Sequence, residues 1–271
     1  MTMTDTDQPP AFELREVSKR FSTKKGQLPV VRSVEMHARR GEFISIIGPS
    51  GCGKSTLFKM IAGLEQPSDG EIRVDGHLAT GHTEEFAYMP QKDLLFPWRT
   101  ILDNTTMGLE VQGMSRSAAR AKARPLFETF GIAGFEDSYP WQLSGGMRQR
   151  AALLRTVVQD RPVLLLDEPF GALDSLTRVE MQEWLTEVWE QFRWTVVLIT
   201  HDIREAVFLS DRVYVLTARP AGVREVHEID LERPRDLGVV TDARFAQFEA
   251  SLLEALREES RVSHAQDDVA P

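Results

Sequence analysis

Short apolar runs, separated by polar or glycine-containing turns, recur along the first third of the chain. Runs of this length that are rich in β-branched and aromatic residues are typical of β-strands. The pattern predicts strands over residues 12–17, 30–38, 43–47, 71–74 and 86–89.

The second half of the chain alternates longer helical patterns with short apolar runs. Helices are predicted over 116–130 and 147–159, and strands over 163–166, 195–199 and 212–216. A strand without polar positions is buried on both faces, so the alternation predicts a parallel sheet between layers of helices, an α/β fold. In a further helix that starts near Leu176, the residues Leu185, Val188, Trp189 and Phe192 recur at helical spacing and are predicted to face the core.

The most informative turn follows the strand predicted over 43–47 and precedes a helical pattern. Glycines there allow successive backbone N–H groups to point at phosphate oxygens, while a lysine adds charge and a hydroxyl can bind Mg²⁺. A glycine-rich structural turn is the alternative, which the flanking strand and helix disfavour. The turn predicts a binding site for a nucleoside triphosphate at Gly48, Pro49, Ser50, Gly51, Cys52, Gly53, Lys54, Ser55 and Thr56, with Ser55 as a ligand of Mg²⁺.

Two acids, Asp167 and Glu168, end the apolar strand predicted over 163–166. The carboxyl ends of parallel strands form the edge at which such sheets bind ligands. Asp167 is predicted to hold the Mg²⁺ shell, and Glu168 is predicted to polarise the attacking water. Solvated loop carboxylates are the alternative. The predicted phosphate-binding turn at residues 48–56, here called the phosphate loop, disfavours it.

A second candidate anion site lies at Ser144, Gly145 and Gly146, directly before a helical pattern. The free N–H groups and the dipole of a helix N-terminus favour a negatively charged ligand. One chain would therefore carry two separate half-sites for phosphate.

Composition narrows the class of partner. The 271 residues carry a formal net charge of −9, which argues against nucleic acid as the main partner. The sequence contains no apolar run of the roughly 20 residues that a membrane-spanning helix needs and no signal peptide, so the chain is expected to be neither exported nor inserted. Its single cysteine is compatible with a reducing cytoplasm.

Five segments occur together in a fixed order: GPSGCGKST, LSGGMRQR, LLLDEP, the Ala172-Leu173-Asp174 triplet and His201. In this combination the chain resembles the ATP-binding cassette family over about residues 12–230. The resemblance implies the P-loop ATPase fold of that family, a mixed sheet core with an antiparallel β subdomain and an inserted helical subdomain at about 92–160. It also implies a homodimer that forms on ATP binding, in which two head-to-tail cassettes enclose two ATP molecules. The ATPase domain is expected over 11–230, after a disordered tail over 1–10, and 231–271 is expected to add one helix near 245–256 and a frayed end from 260.

The resemblance assigns roles to further residues. Phe21 takes the place of an aromatic residue, more often Tyr, that stacks on adenine, although simple packing is the alternative. Gln91 matches a glutamine that binds Mg²⁺, senses the nucleophilic water and links both to the membrane partner. His201 matches a histidine that contacts the γ-phosphate.

The remaining roles concern the second half-site. Ser144, Gly145 and Gly146 would bind the γ-phosphate held by the other subunit. Asp174 matches an aspartate that communicates between the two sites, with helix capping as the alternative. Met147 departs from the usual glutamine.

Within the family, residues 91–104, 167–178 and 215–236 resemble importers of nitrate, alkanesulfonates, taurine and related small solutes. That branch implies an ATP-hydrolysing motor subunit on the cytoplasmic face of the membrane, a separate permease and an extracytoplasmic solute-binding protein. Phe96 departs from the usual Leu of the branch. An exporter ATPase and a non-transport cassette are the alternatives.

Two hypotheses concern single side chains. Cys52 lies near a helix N-terminus and Lys54, conditions that favour a reactive thiolate, with an inert small residue as the alternative. Phe96 and Trp98 could anchor a permease helix or could pack in the core of the helical subdomain.

Overall fold

The computed structural model describes residues 9–24 and 26–267. Most of the tail predicted over 1–10, and residues 268–271 at the predicted frayed end, lie outside the described residues. The strands are β1 (Phe12–Thr23), β2 (Gly26–Ala38), β3 (Phe43–Ile47), β4 (Asp69–Val74), β5 (His77–Leu78), β6 (Phe86–Met89), β7 (Val163–Asp167), β8 (Thr195–Ile199), β9 (Arg212–Leu216) and β10 (Val223–Glu228).

The strands form two sheets. The larger has the order β10-β9-β3-β8-β7-β6, in which β10 runs antiparallel to β9 and all other neighbours are parallel. The smaller is antiparallel, with the order β2-β1-β4-β5. Because β3, β6, β7 and β8 are parallel, the loops that follow them emerge at one edge of the larger sheet.

The α-helices are α1 (Lys54–Ile61), α2 (Ile101–Val111), α3 (Arg116–Ala123), α4 (Leu126–Thr129), α5 (Gly145–Val157), α6 (Ser175–Phe192), α7 (Ile203–Leu209) and α8 (Ala243–Asp267). Short 3₁₀ helices span Pro140–Gln142 and Leu237–Thr241. No helix within residues 9–24 and 26–267 combines the length and apolar character needed to cross a bilayer.

The larger sheet separates two apolar clusters, as its buried strands require. In β7, Leu164 and Leu166 belong to one cluster and Leu165 to the other. Trp189 of α6 packs in the first cluster, edge-on to Phe43 with ring centroids 6.0 Å apart. The α/β architecture predicted from the sequence is confirmed, with a mixed sheet core, an antiparallel sheet beside it and a helical insertion between β6 and β7.

Several predictions differ from the structure. Strands β1 and β2 are longer than predicted, since β1 continues to Thr23 and β2 begins at Gly26. The helix predicted over 116–130 is broken into α3 and α4 at Pro125, whose ring excludes the backbone of a continuous helix. The predicted core residue Phe192 lies at the surface with 36% exposure and stacks on Trp194. Helix α8 continues to Asp267, past residue 260 where fraying was predicted.

Candidate functional site

The loop between β3 and α1 has the shape that its glycines predicted. Gly53 has φ +131°, and a Cβ there would lie 2.9 Å from the carbonyl oxygen of Val30. A side chain at this position would collide with backbone, so only glycine allows the loop to pack on β2. The Nζ of Lys54 donates to the carbonyl oxygens of Gly48 at 2.7 Å and Pro49 at 2.9 Å, which are oxygen acceptors like those of a phosphate.

A cavity of about 500 Å³ opens above this loop. The cavity combines backbone N–H groups at a helix N-terminus with cationic side chains, which suits a polyanionic ligand. Its lining comprises Ser50, Gly51, Gly53, Lys54, Ser55, Thr56, Glu168, His201 and Arg219.

Glu168, Gln91 and His201 come together at the end of the sheet. The Nε2 of Gln91 donates to Oε2 of Glu168 at 3.0 Å, and the Nδ1 of His201 lies 3.2 Å from the same oxygen. The side chain of Glu168 is 21% exposed and that of His201 is 61% exposed. A carboxylate that accepts a hydrogen bond from Gln91 and lies beside His201 at the rim of a cavity can accept a proton from a bound water.

Asp167 lies one residue earlier and is partly buried. Burial raises its pKa, while the hydroxyl of Tyr88 donates to its Oδ2 at 3.0 Å and opposes that shift. Burial, followed by the charge of Asp167, raises the pKa of Tyr88. Tyr88 was not predicted from the sequence, although it lies in β6, the strand next to β7.

Ser144, Gly145 and Gly146 lie outside the lining of this cavity. They form the N-terminus of α5, where Oγ of Ser144 accepts from the N–H of Met147 at 3.3 Å. Asp174 is likewise a cap, because its carboxylate accepts from the N–H and the hydroxyl of Thr177 at 3.0 and 2.7 Å, and these bonds lower its pKa. The structure thus places the two candidate phosphate half-sites on separate parts of the subunit.

Phe21 is also absent from the cavity lining. Its ring is 37% exposed on β1, opposite Leu28 of β2, with the Nζ of Lys19 4.9 Å from the ring centroid. An exposed aromatic face at this position remains available for stacking.

The thiolate hypothesis for Cys52 is wrong. Its side chain is only 2% exposed and belongs to the apolar cluster beneath the phosphate loop. Burial raises the pKa of the thiol and outweighs the nearby charge of Lys54. The residue is the inert small side chain of the alternative interpretation.

Sequence reasoning also missed Arg219. It follows β9, the neighbour of β3, and its Nη2 donates to the carbonyl oxygen of Gly51 at 2.9 Å. The signal that could have found it is its place at the carboxyl end of a parallel strand adjacent to β3.

Comparisons with known proteins give the family. The family described as ABC transporter matches residues 31–171. An aliphatic sulfonates import ATP-binding protein, SsuB, of Bacillus thuringiensis is 40% identical over 241 residues, which cover 89% of this chain and 94% of that protein. A nitrate import ATP-binding protein, NrtD, of Synechocystis is 40% identical over 225 residues, which cover 83% and 84%.

A solved structure agrees with this assignment. The ATP-binding cassette MJ0796, in a dimeric post-hydrolysis state bound to ADP and Pi, has a TM-score of 0.70 and 28% identity over 82% of this chain and 100% of that chain. The chain therefore belongs to the ABC transporter family and is an ATPase.

Proposed function

We propose that this ATPase is the motor subunit of an importer for nitrate, a sulfonate, taurine or a related small solute. The observation that carries the proposal is the cavity in which a phosphate loop meets Glu168, itself held by Gln91 and His201. Support for import comes from the sulfonate and nitrate importer relatives, each 40% identical to this chain. Residues 11–230 would form the ATPase domain, 92–160 its helical subdomain and 231–271 a C-terminal extension.

Hydrolysis in this proposal is attack of water on the γ-phosphorus of ATP, which breaks the bond to the oxygen that bridges the β- and γ-phosphorus atoms and releases ADP and phosphate. Glu168 accepts the proton of the water, and the amide of Gln91 keeps the carboxylate directed toward the cavity. Lys54 exchanges its bonds with Gly48 and Pro49 for phosphate oxygens, and His201 at the rim contacts the γ-phosphate. The positive charge gathered at the loop stabilises the negative charge of the transition state.

The donor atoms of the site fit magnesium. The described residues contain no cluster of three or more His, Cys, Asp or Glu side chains suited to a resident metal ion. Mg²⁺ that accompanies a nucleotide needs only one or two protein oxygens besides phosphates and waters. Ser55, Gln91 and Asp167 would supply them, and the ion would neutralise charge on the β- and γ-phosphates.

The second candidate half-site, at the N-terminus of α5, supports a homodimer. Ser144, Gly145 and Gly146 lie outside the cavity of their own subunit, so they would contact the γ-phosphate bound by the other subunit. Asp174 would lie at the same interface, and Phe21 would stack on adenine. The dimeric state of the related cassette MJ0796 supports this arrangement.

Transport requires further proteins. The permease would be a separate membrane protein, and this chain would bind it on the cytoplasmic face of the membrane. A solute-binding protein on the other side of the membrane would deliver the solute to the permease.

The proposal is tested by uptake. Cells that lack this chain are complemented with the wild type or with Glu168→Gln, and uptake of labelled nitrate, ethanesulfonate and taurine is measured. We expect wild type to restore uptake of one of these solutes, and the variant to restore none because its amide cannot accept the proton of the water. The purified variant should bind ATP with wild-type affinity while hydrolysing it at least about a hundredfold more slowly.

A contrary result has two forms. Hydrolysis by Glu168→Gln at the wild-type rate would remove Glu168 from the base role. Uptake of all three solutes that is independent of this chain would contradict the importer assignment and leave the ATPase intact.

A further inference from the structure

The loop between β9 and β10, residues 217–222, contacts both the phosphate loop and the C-terminal helix α8. We propose that Arg219 in this loop is a further binding residue for the phosphates of the nucleotide and that Glu259 of α8 positions it. The inference rests on the proposed assignment of the 500 Å³ cavity to nucleotide phosphates.

Arg219 has the location and the chemistry for this role. It lines the cavity together with Lys54, and its Nη2 donates at 2.9 Å to the carbonyl oxygen of Gly51, in the middle of the phosphate loop. A guanidinium carries five donors in a planar fork that matches phosphate oxygens. One bond to Gly51 leaves a fixed cation beside the loop that can donate to a bound phosphate.

The backbone around Arg219 is fixed to β2. The N–H of Ala221 donates to the carbonyl oxygen of Val30 at 2.9 Å, and the N–H of Arg32 donates to that of Ala221 at 2.8 Å. Within the loop, the hydroxyl of Thr217 accepts from the N–H of Gly222 at 2.9 Å. The arginine therefore extends from a rigid support, which reduces the entropy lost when it binds a ligand.

Glu259 of α8 fixes the residue directly before Arg219. One of its carboxylate oxygens accepts from the N–H of Ala218 at 2.7 Å, and the other accepts from Nη1 of Arg224 at 2.7 Å. Glu259 is 8% exposed and Ala218 is 5% exposed, so water competes little for these bonds. Helix α8, which is far along the chain from the phosphate loop, thereby fixes the backbone from which the side chain of Arg219 extends.

The experiment measures equilibrium binding of ADP to the full-length protein at low and high ionic strength. We expect Arg219→Gln to raise the Kd for ADP about tenfold at low ionic strength, as loss of one charged hydrogen bond does. The difference should shrink at high ionic strength because salt screens an exposed charge. Arg219→Lys should fall between the two, since it keeps the charge without the fork.

Two controls separate this inference from the assignment of the cavity. Arg40→Gln removes another exposed guanidinium, which pairs with Asp75 and lies outside the cavity, and it should leave ADP binding unchanged. Lys54→Ala should abolish binding. If Lys54→Ala binds ADP like the wild type, the assignment of the cavity fails.

If Lys54→Ala loses binding and Arg219→Gln retains the wild-type Kd, only the inference about Arg219 fails. Thermal unfolding of the nucleotide-free protein completes the test. Reduced stability with unchanged ADP affinity would restrict Arg219 to bracing the loop and would overturn the inference.

The positioning role of Glu259 is tested by a double-mutant cycle. An amide offers one acceptor oxygen in place of two, so Glu259→Gln should weaken ADP binding about threefold. In the Arg219→Gln background the same change should have no further effect, because Glu259 acts through Arg219. Additive losses would overturn the positioning role.

Discussion

Glu168 combines an unusual backbone conformation with a central place in the site. Its φ of +45° is rare for a residue with a side chain. Two backbone hydrogen bonds fix this conformation: the N–H of Glu168 donates to the carbonyl oxygen of Ile199 at 2.9 Å, and its carbonyl oxygen accepts from the N–H of Gly171 at 3.1 Å. Such conformations persist where surrounding structure imposes them, and they are common at functional sites. Here the turn directs the carboxylate of Glu168 to Gln91 and His201 rather than along the strand.

Burial makes a prediction for Cys52. In the native protein we expect maleimide to label this thiol roughly a hundredfold more slowly than in denaturant, because labelling requires local opening that costs about 3 kcal/mol. Mg-ATP should slow the native rate further, because the nucleotide binds the closed loop and opposes the opening that exposes this thiol. Native labelling as fast as in denaturant, measured by mass spectrometry, would contradict the burial of Cys52.

The burial of Glu205 predicts that the free energy of unfolding depends on pH. It is 4% exposed on α7, and burial, followed by repulsion from Asp202, raises its pKa from 4.5 to about 8. Between these values the folded protein keeps a proton that the unfolded chain has lost, so this group makes the free energy of unfolding fall as pH rises from 4.5 to 8. Glu205→Gln should remove that term and be the more stable protein at pH 8, by on the order of a few kcal/mol, with little difference near pH 5.

Denaturant titrations at both pH values measure this effect. The exposed Glu254→Gln serves as the matched control and should show no such pH-dependent difference. Equal stability of wild type and Glu205→Gln at both pH values would show that Glu205 is not buried in its neutral form.

At the scale of elements, sequence patterns predicted those segments whose environment is uniform along their length. The strand β3, buried at every position, was predicted with its observed bounds Phe43–Ile47, and so was β8, Thr195–Ile199. Strand β10 was missed because its alternate residues are half-exposed and it lies at the sheet edge beside β9, so its sequence lacks an apolar run. Only the hydrogen bonds to β9 identify it as a strand.

The residues of the candidate site likewise fall into those that the sequence predicts and those that it does not. The phosphate loop and the acids after β7 are contiguous motifs whose chemistry can be predicted from residue type and spacing. Arg219 and Glu259 acquire their relation to the phosphate loop from contacts between distant segments. No periodicity in the sequence reports such contacts, and the burial of Cys52 within its loop was hidden for the same reason.

The segment after β6 makes a prediction about the permease. Trp98 is 71% exposed, and neither Trp98 nor Phe96 contributes to the described apolar clusters, which disfavours packing in the subdomain core. Their rings lie 5.2 Å apart, and the side chain of Asn104 fixes the backbone of Phe96 through bonds of 2.7 and 3.1 Å. We expect Trp98→Ala to preserve the fold and basal ATPase rate while reducing binding to membranes that contain the permease at least about tenfold.

Co-sedimentation with membrane vesicles, circular dichroism and ATPase assays measure these effects. Leu78→Ala is a matched control, because Leu78 is also exposed, at 56%, but lies on β5 in the other sheet. Membrane binding by Trp98→Ala equal to that of the control would remove this segment from the proposed permease contact.

At the scale of the whole molecule, the C-terminal segment is part of the packed structure. Phe245, Leu252 and Ala255 of α8 are buried in the same cluster as the central sheet. The buried guanidinium of Arg235 donates to five carbonyl oxygens, including those of Val207 and Ile229, and desolvation lowers its pKa to about 10. Helix α8 is therefore a firmly packed support from which Glu259 bonds the loop that holds Arg219.

The proposed dimer makes a prediction about how the sites are shared. If each active site combines Lys54 of one subunit with Ser144 of the other, Lys54→Ala and Ser144→Arg are each inactive as homodimers. A mixed dimer, however, retains one intact site, built from Lys54 of the Ser144→Arg subunit and Ser144 of the Lys54→Ala subunit. An equal mixture forms about half mixed dimers, so about a quarter of all sites, and a similar fraction of the wild-type ATPase rate, should return.

The control is a second mixture in which both substitutions affect residues of the same cavity. Lys54 and Glu168 both line the cavity of one subunit, so mixing Lys54→Ala with Glu168→Gln leaves every site with a lesion and should restore nothing. ATPase rates of the separate and mixed proteins, with the dimer fraction measured by light scattering, decide the matter. Recovery in neither mixture, despite mixed dimers in solution, would place Ser144 in the site of its own subunit and contradict the head-to-tail arrangement.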